Sequence, residues 1–558
     1  MHPNDSGSKR HLPWLALILV SIVVQLGWMD ATVGTYDEGL VLVGAERVLR
    51  GDLPYRDFWT LYAPGSFYVV AGLYALFGEL VLVERGFDVA AKTAIVTLVF
   101  AVVLQFGRRS VAVVAALASL GLLLYLRSYS APLFPAIAAS LAAVLALHQT
   151  SLAPQSRPAF LAGIAVGVTT WFRHDLGAYL LLACAGFLIH LALDGDSGAR
   201  RAGVPVAAGW LAAGLAISLG PVVAFFAASV PADDLYRDFV EIPLSVYPRV
   251  RALPFPPIVD ALAEAVRTHS PSPLGPLIVY LPLIVMGTAL GSEFLRPTQP
   301  DGRGRVGFAQ DASAQTRLFR FLLLIGALFY VKGLVRVSPL HVGASLVVAI
   351  ALLGASISRA RSPTWRVGLA VAGGLAFLAL LVKPLVTGAE RATDGLSVAT
   401  LVADRWITHA STLCREPILP RLRCFSLEPD ATAVAVYLLQ HGASGQRVYV
   451  GLGRHDKIFA ANLALTFAVA AIPPTRWHDL HPGVQTRADV QAQMIEELRA
   501  APLAYVVRDG QWDFVTESND SALSSGVTAL DDYLDDHFEP VFRAGSLTVL
   551  RPRSGVPG

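Results

Sequence analysis

Between residues 12 and 388 the chain carries a series of apolar runs too long and too numerous for the core of a soluble domain. The first follows Lys9, Arg10 and His11 and extends from Leu12 to Met29, about 18 residues. Others fall at 87–106, 110–126, 131–149, 159–173, 174–193, 205–229, 274–291, 318–335, 339–358 and 367–388. A helix needs roughly 17 to 25 such residues to cross the hydrocarbon core of a bilayer. The pattern therefore predicts eleven transmembrane helices. A composition of 54% hydrophobic and 15% charged residues agrees with lipid as the solvent. The first run is longer than a signal-peptide core and lacks a small-x-small cleavage site, which predicts a retained anchor with the N-terminus in the cytoplasm.

One further stretch, Ala63 to Gly78, is apolar but short and interrupted by Gly and Pro, and is expected on the membrane surface rather than across it. Charge supports that choice. With 63–78 outside the count, the short cytoplasmic connections hold Arg108, Arg109, Arg157, Arg200, Arg201, Arg296, Arg303, Arg305, Arg317, Arg359, Arg361 and Arg366, in addition to Lys9 and Arg10. The outer loops interleave their bases with acids, so the density bias follows the positive-inside rule. The chain is thus read as a multi-pass protein of the cytoplasmic membrane. With 44 basic against 42 acidic residues and no concentrated basic face, nothing suggests a nucleic-acid partner.

The expected fold class is an all-α polytopic membrane protein of about eleven transmembrane helices, with a C-terminal extracytoplasmic α/β soluble domain. The membrane domain is read as 1–388, with a long first outer loop at 30–86, and the soluble domain as 389–558, where charge rises and long apolar runs end. In that second part, period-two and helical patterns predict helices at 430–441 and 488–500 and strands at Arg447–Leu452, Ala504–Arg508 and Ser546–Leu550. Cys414 and Cys424 close a short loop in a part expected in an oxidising compartment, which predicts a disulfide; two free thiols are the alternative. His455, Asp456, His478, Asp479 and His481 fit no standard zinc spacing and are read as structural or hydrogen-bonded groups.

The residues closest to chemistry are Asp37 and Glu38, a few positions beyond the first span, followed by an amphipathic segment from Gly39 to Leu49 expected at the interface. A carboxylate there can deprotonate an acceptor hydroxyl or bind a metal beside a lipid phosphate. An acidic pair at a helix N-terminus is also favoured by the helix dipole alone. Arg173-His174 and Arg336 with His341, and more weakly Lys332, gather at outer span ends, where cations can hold a phosphate or simply snorkel.

The Asp37-Glu38 pair, the stretch Gly51-Asp52-Leu53-Pro54-Tyr55-Arg56-Asp57 and then Ala63-Pro64-Gly65 leading to Phe77-Gly78 resemble the first-loop pattern of C-type glycosyltransferases. The kinship in style is with bacterial protein O-mannosyltransferase-like and lipid A aminoarabinose transferase-like proteins. The resemblance implies a polyprenyl-phosphate-linked sugar as donor and an acceptor hydroxyl on a glycan, lipid or protein; direct displacement would then invert the anomeric carbon. It implies Asp37 as catalytic base with Glu38 beside it, and Asp57 as an additional acid; with such a donor the leaving phosphate needs cations, which Arg173, His174, Arg336 and His341 can supply. An ion pair with Arg56 accounts for Asp57 equally well. Many members carry an acidic motif in the next outer loop; here that loop reads Arg127-Ser128-Tyr129-Ser130, so a divalent metal cofactor is left open. The rival reading is a glycolipid transporter or flippase. Transporters place ionisable and helix-breaking residues near mid-membrane, whereas here they gather at one surface.

Overall fold

The computed structural model describes residues 8–152, 156–193, 198–268, 272–294, 306–360, 368, 418–423 and 425–553. Ten of the eleven apolar runs are helical; the last, 367–388, lies outside the described residues, as do Cys414 and Cys424. The helices are α1 (Ser8–Trp28), α2 (Asp37–Leu49), α3 (Gly65–Phe77), α4 (Val81–Leu104), α5 (Arg109–Leu126), α6 (Leu133–Leu152), α7 (Ser156–Phe172), α8 (His174–Leu193) and α9 (Gly198–Ser229). A second loop then holds a π-helix, Arg237–Val246, and α10 (Ile258–Thr268). A 3-10 turn at Ser272–Tyr280 leads into α11 (Leu281–Phe294), followed by α12 (Val306–Gly333) and α13 (Gly343–Arg359).

Seven helices among the described residues are long and apolar enough to cross a membrane. Their outward faces stay apolar, with Leu182 and Ile217 both about 60% exposed, as expected where lipid replaces water. Inside the bundle, contact depends on small residues and a few polar links. A Cβ on Gly163 of α7 would sit 2.0 Å from the Leu211 carbonyl oxygen of α9, so those two helices touch backbone to backbone. Gln25 and Ser21 of α1 reach Thr93 of α4 at 3.0 and 3.1 Å, satisfying buried polar groups across helices.

At 13 residues α3 is about 20 Å long, short of the roughly 30 Å hydrocarbon core. The helix α2 forms where the sequence indicates, but it is not an amphipathic rod lying on lipid. Residues 38 to 47 are all buried, because the C-terminal part covers the face that would otherwise meet water.

That C-terminal part contains α14 (Pro429–Gln440), α15 (Leu463–Ala468), α16 (Ala488–Ala500) and α17 (Ala529–His537) around a sheet of β1 (Arg447–Leu452), β2 (Leu503–Asp509), β3 (Phe538–Ala544) and β4 (Leu547–Pro552). The strand order is β1-β2-β4-β3, with β1 parallel to β2 and the other pairs antiparallel. Strand β3 is absent from the sequence reading: Pro540 and its charged neighbours break the apolar alternation, which an edge strand tolerates.

The first loop and the C-terminal part share one hydrophobic core. Leu40, Val43, Phe58, Trp59 and Phe67 pack with Leu463, Phe467, Trp477 and Leu480. Backbone bonds stitch the same seam: Val33 N–H donates to the Ser426 carbonyl at 2.9 Å, Ala464 N–H to Thr35 at 3.1 Å and Trp59 N–H to Arg476 at 2.9 Å. Gly39 sits at the closest approach, where an added Cβ would lie 2.4 Å from the Ala464 backbone nitrogen. Alanine normally stabilises a helix over glycine by about 1 kcal/mol. Gly39→Ala is therefore expected to lower the thermal unfolding temperature in detergent, the reverse of its helix propensity. Gly86→Ala in α4, where a Cβ meets open space, should leave it unchanged or raise it. Equal responses at the two positions would contradict this packing.

Candidate active site

Asp37 and Glu38 are adjacent in sequence but occupy different environments. Glu38 is 2% exposed and forms a two-pronged ion pair with Arg85 of α4, which is fully buried: Nε donates to Oε1 at 2.7 Å and Nη2 to Oε2 at 3.0 Å. Gly34 N–H also donates to Glu38 Oε2, at 2.6 Å. Arg85 further donates to the carbonyls of Asp30 and Thr32 and lies over the rings of Tyr129 and Phe425, 4.1 and 4.4 Å from their centroids. Both Glu38 oxygens are thus occupied, so the sequence pair does not offer two free carboxylates side by side.

Asp37 faces outward at the start of α2 and is exposed. Tyr62 Oη donates to Asp37 Oδ1 at 2.9 Å. Burial pushes the Tyr62 phenol well above its ordinary range, aided by the Asp37 charge, so it remains a hydrogen-bond donor. Tyr62 is also within electrostatic reach of Arg173 and of Asp479 in the C-terminal part. Arg336 is in turn within electrostatic reach of Asp37 and of Tyr247.

The four residues expected at a phosphate gather on this same side, and three of them, Arg173, Arg336 and His341, are already hydrogen-bonded. Arg173 donates to Asp175 through Nε at 2.9 Å and Nη2 at 2.6 Å, and Lys332 Nζ lies 3.4 Å from the same carboxylate. Arg336 donates through Nη1 to Glu517 and to the Arg251 carbonyl, both at 2.8 Å. His341 sits between Ser338 Oγ at 2.8 Å and Tyr247 Oη at 3.4 Å. His174 packs edge-on against Phe239, and its buried Nδ1 has no hydrogen-bond partner among the described residues. Three cations, Arg173, Lys332 and Arg336, thus face two carboxylates, Asp175 and Glu517.

Asp57 lies apart from this group. Its carboxylate accepts from Leu53 N–H at 2.8 Å and from Arg56 Nε at 2.9 Å, while Arg47 binds its backbone carbonyl. It organises its own turn.

Four members of the candidate site, Tyr36, Tyr62, Tyr247 and Arg251, escaped the sequence reading, and Asp479 and His481, read there as structural or hydrogen-bonded groups, join them. Tyr36 Oη donates to Asp479 Oδ1 at 2.6 Å, Arg251 Nε to His481 Nε2 at 3.3 Å, and the Tyr247 ring stacks on His481. Burial drives the His481 imidazole well below its usual range, with Arg251 adding to the effect, so it is a neutral acceptor. His455 instead binds Asp531 and Tyr449, each at 2.8 Å, and His478 contacts Arg47 at 3.3 Å. Among the described residues no group of three or more His, Cys, Asp or Glu stands close enough to hold a metal ion. Only adjacency to Asp37 could have marked Tyr36; Tyr62 lies further along the same first loop, and Tyr247 and Arg251 lie on the second loop.

The sequence matches no family model and no curated protein. The fold does have solved counterparts. ArnT from Cupriavidus metallidurans, bound to undecaprenyl phosphate and in the apo state, superposes with a TM-score of 0.56 at 12% identity, over 99% of this chain and 100% of that one. The archaeal oligosaccharyltransferase AglB from Archaeoglobus fulgidus, in complex with an inhibitory peptide and a dolichol-phosphate, superposes with a TM-score of 0.50 at 12% identity, over 91% of this chain and 70% of that one. The chain therefore has the C-type glycosyltransferase fold, as its first loop suggests.

Removing one partner of a buried ion pair leaves an uncompensated charge and costs roughly 3 to 5 kcal/mol. Glu38→Gln and Arg85→Met should each lower thermal stability by that order, and the double variant should recover part of the loss. A Glu38→Gln protein as stable as wild type would show that the pair does not hold α2 in place.

Proposed function

We propose that this chain is an integral membrane glycosyltransferase that moves a sugar from a polyprenyl-phosphate carrier to an acceptor hydroxyl on the outer face of the cytoplasmic membrane. The observation that carries the reading is the exposed Asp37 carboxylate, backed by Tyr62 and within electrostatic reach of Arg336, on the side of the bundle where Arg173 and Lys332 also gather. The fold shared with ArnT supports it, since that protein was captured with undecaprenyl phosphate.

In the proposed reaction the acceptor hydroxyl donates a hydrogen bond to Asp37, whose Oδ1 is steadied by Tyr62. As the acceptor oxygen bonds to the anomeric carbon, its proton passes to Asp37. The bond from that carbon to the carrier phosphate breaks, and the phosphate keeps the electron pair. Arg173 and Arg336 stabilise the charge that grows on it, with His174 and His341 as further polar contacts. One displacement inverts the anomeric centre. Glu38 keeps a structural part, holding α2 through Arg85 so that Asp37 is presented at the surface.

A positioned general base contributes about 10² to 10⁴ in rate. Asp37→Asn should reach the membrane in normal amounts and lose transfer by that order. The assay supplies undecaprenyl-phosphate-linked hexoses and pentoses to membranes and follows products by mass spectrometry. Wild-type turnover in this variant would remove the catalytic assignment and favour the transporter reading.

A lost hydrogen bond to a charged group costs about 1.5 to 3 kcal/mol, so Arg173→Ala and Arg336→Ala should each weaken donor use roughly 10- to 100-fold. Unchanged donor kinetics in both would leave them as structural cations. For the outer-face orientation, a reporter fused after Gly558 that works only outside the cytoplasm should be active, and activity of a cytoplasm-only reporter there would reverse the topology.

A further inference from the structure

We propose that α10 is an interfacial helix, seated in the bilayer surface on the side of the C-terminal part with its apolar face among the lipid acyl chains. The proposal does not rest on the transferase reading. In α10, Ile258, Leu262 and Val266 recur every fourth residue and Val259 falls beside them, whereas Asp260, Glu264 and Arg267 fall on the opposite side. Such segregation in a soluble protein marks a helix whose apolar stripe packs on a core. Here no residue of the helix is buried: Val259 and Val266 are 76 and 75% exposed, and Leu262 and Ile258 50 and 47%. A stripe of four large apolar side chains left this open calls for another apolar phase against it.

The place of α10 decides which phase that is. The 3-10 turn at Ser272–Tyr280 lies against the last turns of two helices that are long and apolar enough to span the membrane. A Cβ on its Gly275 would meet the Tyr125 hydroxyl of α5 at 2.9 Å, one residue before that helix ends, and Tyr330 in the last turn of α12 donates to the Val279 carbonyl at 3.1 Å. The turn is therefore level with the ends of the spans, and α10 is fastened to it twice. At the start of α10, Tyr280 Oη donates to the Pro256 carbonyl at 2.8 Å and the Phe255 ring stacks on Tyr280 with centroids 5.5 Å apart. At its end, Thr268 is four residues from Ser272, a reach of at most about 14 Å. With both ends held at that level, the 11-residue helix, about 16 Å long, runs along the bilayer surface rather than away from it. An amphipathic helix so placed sinks its apolar face roughly 5 to 10 Å into the boundary between headgroups and acyl chains.

Charge identifies the attraction. The helix carries two acids and one base, and Arg267 is taken up by Glu264, through Nε at 2.8 Å and Nη2 at 2.6 Å. That leaves the apolar face, not acidic headgroups, to hold it. The stretch ahead of α10 leads back to the candidate site: the Leu253 carbonyl accepts Val337 N–H at 3.1 Å and the Arg251 carbonyl accepts Arg336 Nη1 at 2.8 Å. A seated α10 thus helps to set the height of Arg336 relative to the lipid headgroups.

Single cysteines in the full chain, carrying a nitrobenzoxadiazole label in phosphatidylcholine nanodiscs, test the seating, with the signal of wild-type chain treated alike subtracted. Val259→Cys, Leu262→Cys and Val266→Cys should lose several-fold more emission to lipids brominated on their acyl chains than Asp260→Cys and Glu264→Cys, which should instead be quenched by aqueous iodide. Adding phosphatidylglycerol should leave the pattern unchanged. In a chain that also carries Leu262→Asp and Val266→Asp, both at exposed positions, the label of Val259→Cys should pass from the lipid quencher to iodide. Equal lipid quenching on the two faces, or iodide reaching the apolar face of the otherwise wild-type helix, overturns the proposal. So does protection of that face from both quenchers, which would mean that protein covers it, and so does lipid quenching that appears only with phosphatidylglycerol. None of these readings involves sugar transfer, so the proposal and the transferase reading fail separately.

Discussion

The buried Arg85 guanidinium is the constraint around which the rest is arranged. An arginine with no exposed surface must have its charge and its donors answered within the protein. Glu38 supplies the charge, the carbonyls of Asp30 and Thr32 take further donors, and the rings of Tyr129 and Phe425 pack against the guanidinium. Those partners come from the chain just after α1, from α2, from the turn between α5 and α6, and from the C-terminal part. One side chain of α4 thus joins the helix bundle, the first loop and the soluble part. Because Glu38 is drawn inward, Asp37 next to it is left on the outer side of the helix.

The same arrangement explains why the soluble part is not an independent appendage. Its apolar residues Leu463, Phe467, Trp477 and Leu480 complete a core begun by α2 and α3, and Gly39 permits contact at backbone distance. Such a seam brings Asp479, His481 and Glu517 to the ends of α7, α12 and the second loop, where Arg173, Lys332, Arg251 and Arg336 lie. Fixed opposite charges at the mouth of a bundle keep the cations oriented, and under the proposed transfer an incoming phosphate would share them with Asp175 and Glu517. Electrostatic groups held this way need little rearrangement when charge develops on a leaving group.

Much of this was legible in the sequence, for identifiable reasons. Lipid imposes long uninterrupted apolar runs, so ten helical runs could be read directly from hydropathy, and seven helices among the described residues are long and apolar enough to cross a membrane. Helices at 429–440 and 488–500 and strands β1, β2 and β4 followed from local periodicity. The edge strand β3 did not, since Pro540 hides its pattern. Among the candidate site residues, Asp37 stood out by its position beyond the first span, and Arg173 and Arg336 by their place at span ends.

The sequence by itself determined the solvent of each segment, the order of elements and the set of charged groups available near one surface, because these depend on composition within about twenty residues. It could not separate Asp37 from Glu38, which are equal in chemistry and one residue apart; only folding sends one to Arg85 and the other to Tyr62. Nor could it bring Asp479 to Tyr36 across 443 positions. Such pairings depend on how the C-terminal part closes over α2, and the physical reason is that burial and hydrogen bonding are decided by neighbours in space, for which chain distance carries no information.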